Sequence, residues 1–138
     1  MIRSNLVKHP LCHSVLTMPC LEIATNIPKE RITPEVVADL SKLFSTTMRK
    51  PEQYCMVRVI PGQLMTFGGS FNPCAVATVM SIGNLGVQEN KAHAQKIFEF
   101  TEKTLGIPND RMYIIFTDKP ASEIGYKSTT FHEILGLK

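Results

Sequence analysis

No two of the four cysteines, Cys12, Cys20, Cys55 and Cys74, stand in C-x-x-C spacing, which excludes a zinc knuckle or a redox pair of that kind. Free thiols are the expectation, as suits a reducing cytosol. No uninterrupted apolar run approaches the length of a membrane-spanning helix, so no membrane insertion is expected. Excess charge is also scarce. The formal net charge is +3, and two of the basic residues, Arg3 and Lys8, precede Met18, a stretch with no acidic residue at all. From Met18 onward thirteen basic residues face twelve acidic ones, too even a balance for a nucleic-acid surface. What is present is a globular composition, 43% hydrophobic and 20% charged over 138 residues. That length suits one domain and suffices for a core without disulfide staples.

Residues 1–17 differ from the remainder. They are basic, carry Pro10 in their middle, and lack a signal-peptide core because Lys8, His9 and Pro10 interrupt Leu6-Val7 and Leu11. His9, Cys12 and His13 stand close enough together for a metal but read as part of a polar tail. The segment reads as an N-terminal extension, disordered or an artefact of the gene model with translation beginning at Met18. A basic, acid-poor organellar targeting segment is the other option. Residues 18–138 read as the domain.

From Pro19 the pattern is regular. Leu21 to Asn26 alternates as a strand does. Thr33-Pro34-Glu35 supplies a capping hydroxyl, a proline for the first helical position and an acid for the first turn. Val36, Val37, Leu40, Leu43, Phe44 and Thr47 place one apolar stripe along the helix that follows. Pro51 ends it, Tyr54 to Ile60 reads as a buried strand, and Leu64 to Phe67 as a short further strand released by Gly68-Gly69. The order then repeats: a strand over Cys74 to Ile82, a helix over Gln88 to Leu105 closed by Gly106, and a strand over Arg111 to Thr117. A shift of 57 residues puts Thr47 on Thr104, Pro51 on Pro108 and Tyr54–Val59 on Arg111–Phe116. The fold class is therefore α/β: a tandem β-α-β repeat with right-handed crossovers, forming a four-stranded mixed sheet with both helices on one face. The strands around Val57, Val79 and Ile114 are apolar on both sides, as in sheets covered on both faces. Two helices cover only one. A homo-oligomer with inward-facing sheets covers the other, and a trimeric, barrel-like assembly is the expectation.

Met18-Pro19 opening a strand, Lys50-Pro51 before Tyr54, Pro61-x-Gln63-Leu-Met-x-Phe-Gly-Gly-Ser70, Pro73-Cys74-Ala75, Ser81-Ile82-Gly83, Asp110-Arg111-x-Tyr113-Ile114, Gly125 and Thr130-Phe131 occur in that order. In these motifs the chain resembles the macrophage migration inhibitory factor and D-dopachrome tautomerase family, from Met18 to about Phe131. The resemblance implies a homotrimer of β-α-β-β-α-β protomers. It also implies a cofactor-free isomerase that interconverts keto and enol forms of phenylpyruvate-type acids and isomerises dopachrome analogues. A further implication is a cytokine-like factor, cytoplasmic and also secreted without a signal peptide, with a cell-surface receptor as partner.

The implied chemistry has a physical basis. Moving a proton between carbon and oxygen beside a carbonyl needs a base with a pKa near neutrality. An α-amino group begins near 7.7–8.0, and proline at the N-terminus makes it a secondary amine on a rigid ring. A nearby Lys50 cation and partial burial disfavour its protonated form. By resemblance Pro19 is the catalytic residue, provided that Met18 is removed; otherwise its nitrogen is an amide. Lys50, taken alone, reads as a solvated charge at a helix end. By resemblance it binds the substrate carboxylate together with the backbone N–H of Ile82, while Tyr113, Phe131 and Ile115 wall the pocket. Taken alone, Phe131 and Tyr113 read as core packing.

The sequence also departs from the family's pattern. Cys74-Ala-Val-Ala77 lacks the second cysteine of the family's dithiol. Ile115 stands where cytokine-type mammalian members place asparagine, and Tyr126 where they place tryptophan. His132 to Lys138 extends past the usual end. Two functions follow: a trimeric tautomerase, or a receptor-binding cytokine mimic with a vestigial pocket. An intact mass beginning at Pro19 favours the first.

Overall fold

The apolar runs become strands and the amphipathic stretches helices in the order of a doubled β-α-β unit. A computed structural model describes residues 17–138; the expectations for His9, Cys12 and His13 lie outside them. The elements are β1 (Pro19–Thr25), α1 (Pro34–Met48), β2 (Met56–Ile60), β3 (Ala75–Ser81), α2 (Val87–Phe100), β4 (Met112–Asp118), β5 (Gly125–Tyr126), β6 (Thr129–Thr130) and a terminal turn, α3 (Phe131–Ile134). The main sheet runs β2-β1-β3-β4. Each half contributes a parallel pair, β1 with β2 and β3 with β4, and the halves join antiparallel through β1 and β3. Among the described residues no helix is long and apolar enough to cross a membrane.

Leu40 and Phe44 from α1 and Ile97 from α2 share one core with Leu21, Ile23, Ala77 and Val79, so both helices cover the same face of the sheet. Thr33 caps α1 as its composition predicts, its hydroxyl accepting from the Val36 N–H at 3.2 Å. The second long helix changes character near its end: Thr101–Leu105 forms a turn of π-helix before Gly106 closes it in the left-handed conformation (φ 71°). His93, Ile97, Thr101 and Leu105 are all buried. A wider last turn keeps this i, i+4 row facing the sheet, where an ideal α-helix would let it drift.

Two readings change. Leu64 to Phe67 is not a strand: Leu64 is 93% exposed and the only pairing in this stretch is an isolated bridge between Phe67 and Ser70. A short apolar run gives a strand only where a neighbour can accept its backbone hydrogen bonds, and no such neighbour lies beside Leu64–Thr66 within the described residues. Gly68 and Gly69, with φ of 61° and 81°, make the tight turn between Phe67 and Ser70, which side-chain-bearing residues resist. The second face of the sheet is also less apolar than expected. Met56, Tyr113 and Ile115 are exposed there, but a Glu22–Arg58 ion pair at 3.1 Å occupies its middle.

Arg111 holds the Phe67–Pro73 loop. Its guanidinium donates to the carbonyls of Pro73 (2.9 Å), Phe67 (3.1 Å), Ser70 (3.0 Å) and Asn72 (2.9 Å) and lies over the Phe67 ring. A rigid fork serves four acceptors at once and an ammonium cannot. Arg111→Lys is expected to lower stability by roughly 2 kcal/mol and to speed hydrogen exchange selectively in residues 67–73. Unchanged exchange in that loop would show that the fork does not order it.

Candidate active site

The pairing of strands brings three strand ends together. Because β1 and β3 are antiparallel, Pro19 at the start of β1 lies opposite Ser81 at the end of β3. Because β3 and β4 are parallel, Ser81 in turn lies opposite Asp118 at the end of β4. The segment between α1 and β2 supplies Lys50 to the same place, and the end of α1 shows how. Arg49 takes the left-handed conformation (φ 57°, ψ 45°). Its N–H bonds the Thr46 carbonyl at 3.3 Å and the Lys50 N–H bonds the Ser45 carbonyl at 3.2 Å, the pairing of a Schellman helix end. The Ser45 hydroxyl donates to the Lys50 carbonyl at 2.6 Å. The helix thus stops abruptly, and the next side chain points into the fold.

Lys50 is therefore not the solvated charge that its position beside a helix end suggests: it is 4% exposed. Its Nζ lies within hydrogen-bond distance of four acceptors, the carbonyls of Met18 (2.9 Å) and Ile82 (2.9 Å) and the hydroxyls of Thr17 (3.1 Å) and Ser81 (3.2 Å). Burial lowers its pKa from 10.5 to about 8, opposed by the Cys55 thiol and the Asp118 carboxylate. Asp118 itself accepts from the Gly83 N–H at 3.0 Å, which fixes the loop after β3. Ser81, Asp118 and the Ile82 carbonyl were not singled out from sequence. Ser81 lies inside a recognised motif, but only the strand register shows that it meets Lys50.

Beside this polar centre lies a cleft of about 250 Å³, lined by Met18, Cys20, Tyr54, Cys55, Tyr126 and Phe131 among others. Tyr126 stacks on Phe131 with centroids 5.1 Å apart, and Tyr54 meets Tyr126 edge-on at 6.1 Å. Flat apolar walls of this kind suit an aryl group. Phe131 is buried beside Met18, and Leu135 and Leu137 from the chain beyond it pack against the same apolar cluster. Burial raises the pKa of the Cys20 and Cys55 thiols, so both are poor nucleophiles.

Of the residues predicted for the site, Pro19, Lys50, Ile82 and Phe131 converge within one chain. Tyr113 and Ile115 do not join them. Tyr113 lies opposite Val76 and Ile115 opposite Thr78, roughly 16 and 10 Å down the strand from Asp118 at about 3.3 Å per residue. Both face the exposed side of the sheet, 66% and 52% exposed, and Tyr113 packs on Phe67 at 5.0 Å.

The depressed Lys50 pKa makes stability depend on pH. Between about 8 and the unfolded value of 10.5 the unfolded chain holds the proton that the folded chain has released, so stability rises with pH across that window. Cys20 and Cys55, raised above 9.0, act in the opposite sense only above pH 9. From pH 8 to 9 the protein is expected to gain up to about 1 kcal/mol relative to Lys50→Met, measured by urea unfolding. Identical pH dependence in the two proteins would contradict the buried-ammonium account.

The family described as macrophage migration inhibitory factor matches residues 18–132. Homologues of that factor from Trichuris trichiura and Brugia malayi are 39% and 40% identical over 114 residues, covering 83% of this chain and 100% and 99% of theirs. The solved structure of the factor from Trichinella spiralis superposes with a TM-score of 0.78 at 34% identity, covering 80% of this chain and 98% of that one.

Proposed function

Because the chain belongs to the macrophage migration inhibitory factor family, with the fold of that family and the tautomerase chemistry that characterises it, we propose that it is a cofactor-free keto–enol tautomerase of phenylpyruvate-type acids and dopachrome analogues, with Pro19 as the base. The single observation that carries this reading is the buried Lys50, whose Nζ lies 2.9 Å from the Met18 carbonyl oxygen of the peptide bond to Pro19. Cation and amine are thus neighbours, as the reaction needs.

Once Pro19 is the N-terminus, its neutral nitrogen takes the acidic proton from the carbon beside the substrate carbonyl and a proton is delivered to the oxygen. The reverse direction uses the same group as acid. Lys50 and the Ile82 N–H hold the carboxylate, since a cation and an amide donor together suit an anion. Tyr126, Phe131 and Tyr54 flank the aryl ring. No step needs an oxidant or a metal, because the proton only changes place.

A trimer belongs to the same reading. Met56, Tyr113 and Ile115 expose apolar surface on the uncovered sheet face, and in a closed ring of copies Tyr113 and Ile115 of one protomer would approach the cleft of the next. Sedimentation equilibrium is expected to give three times the chain mass; a stable folded monomer at micromolar concentration would overturn the assembly. A cytokine-like role outside the cell, with a receptor as partner and export without a signal peptide, rests on family membership alone.

The deciding assay follows phenylpyruvate tautomerisation by a chain that begins at Pro19. Turnover saturating in substrate is the expected result. A rate no higher than buffer would remove the tautomerase reading and leave the receptor-binding one.

A further inference from the structure

Thr17 and Met18, the last two residues before Pro19, are as buried as the core: Thr17 is 0% and Met18 8% exposed. Met18 packs into an apolar cluster with Ala121 and Phe131, flanked by Ile82 and Leu135. Its carbonyl accepts from Lys50 Nζ at 2.9 Å, and the Thr17 hydroxyl accepts from the same nitrogen at 3.1 Å. These two residues thus hold what a substrate carboxylate and its apolar body would need.

An ammonium has three N–H donors. Among the described residues Lys50 Nζ faces four acceptors: the Thr17 and Ser81 hydroxyls and the Met18 and Ile82 carbonyls. With residues 17 and 18 in place no donor is left over for a ligand. Without them two acceptors remain, Ser81 and Ile82, and one donor is released.

We propose that Thr17–Met18 is a tethered occupant of the anion seat, so that the intact Met18–Pro19 bond excludes substrate as well as masking the base. Hydrolysis of that bond opens the site. Water adds across it: the hydroxyl goes to the Met18 carbonyl carbon, the C–N bond breaks, and the proton goes to the Pro19 nitrogen, with no change of oxidation state. One cut therefore creates the amine and vacates Lys50 together. A hydrolase that accepts proline after the scissile bond must act before the tautomerase in the reaction sequence. The inference rests on the tautomerase reading of the same site, but it concerns binding and can be tested without turnover.

The probe is 3-phenylpropionate, an aryl carboxylate with no carbonyl to tautomerise, titrated calorimetrically into three proteins of verified fold. They are the chain with residues 1–18 retained, the same chain carrying Thr17→Gly and Met18→Gly, and the chain beginning at Pro19. The last spans the domain that the relatives comprise, since the Trichuris homologue is matched along its whole length within 114 residues. The retained chain is expected to bind at least tenfold more weakly than the Pro19 form. The double glycine variant loses the Thr17 hydroxyl and the Met18 side chain but keeps the carbonyl before Pro19, so its affinity should fall between those of the other two while it remains inactive, because its Pro19 nitrogen is still an amide. Equal affinity of the retained and Pro19 forms would overturn the proposal and leave the tautomerase reading standing. Binding by none of the three would overturn it too, and phenylpyruvate turnover by the Pro19 form would then decide separately whether the catalytic reading falls with it.

Discussion

Acetylating the amine of a chain that begins at Pro19 is expected to cut phenylpyruvate tautomerisation by at least about 10²-fold, the usual contribution of a positioned general base. The fold should be untouched, since an acetyl carbonyl stands where the Met18 carbonyl does, within reach of Lys50 Nζ. The amide nitrogen has no pair to offer a proton. Pro19→Gly separates basicity from rigidity: a primary amine remains, less firmly aimed, and part of the rate should survive. Activity in the acetylated protein equal to that of the free amine would eliminate Pro19 as the base. Cys20 and Cys55 are held as thiols by burial, and Lys50 is engaged with its acceptors.

The second large effect is expected at Lys50. Methionine fills a similar volume, so Lys50→Met removes the cation without emptying the site. Loss of a charge-assisted hydrogen bond to the substrate carboxylate, about 1.5–3 kcal/mol, should raise KM by roughly 10–100-fold. It should also raise the pKa of the Pro19 amine by removing a like charge, so the acid limb of the rate–pH profile moves to higher pH. A variant with kcat reduced and KM unchanged would show that Lys50 acts on the base or the fold and does not hold the substrate.

Much of the protomer was legible in its residues because the signals were local. Thr33-Pro34-Glu35 starts a helix wherever it folds, and the stripe through Leu40 and Phe44 has one face to bury. Met48 joins that face as well. The repeat at 57 residues corresponds to two parallel pairs joined at β1 and β3. What stayed hidden depends on distant groups. The short apolar run at Leu64–Phe67 suggested a strand but has no partner there to make it one. Lys50 looked solvated because sequence shows the helix end and not the left-handed Arg49 that turns the chain inward. Ser81 and Asp118 meet only through the register of three strands. Nor could the placement of Tyr113 and Ile115, away from Pro19 within one chain, be read from motifs that list residues without distances.

The most direct test of the central claim is the titration of the Pro19 nitrogen itself, followed by its ¹⁵N chemical shift in a chain that begins there, beside the pH dependence of kcat/KM on the same sample. The account predicts a single titration below the ordinary α-amino range of about 7.7–8.0, because the Lys50 cation and burial disfavour the protonated amine, and an acid limb of the rate profile that coincides with it. A nitrogen that titrates at or above that range, or a limb that follows some other group, would contradict it.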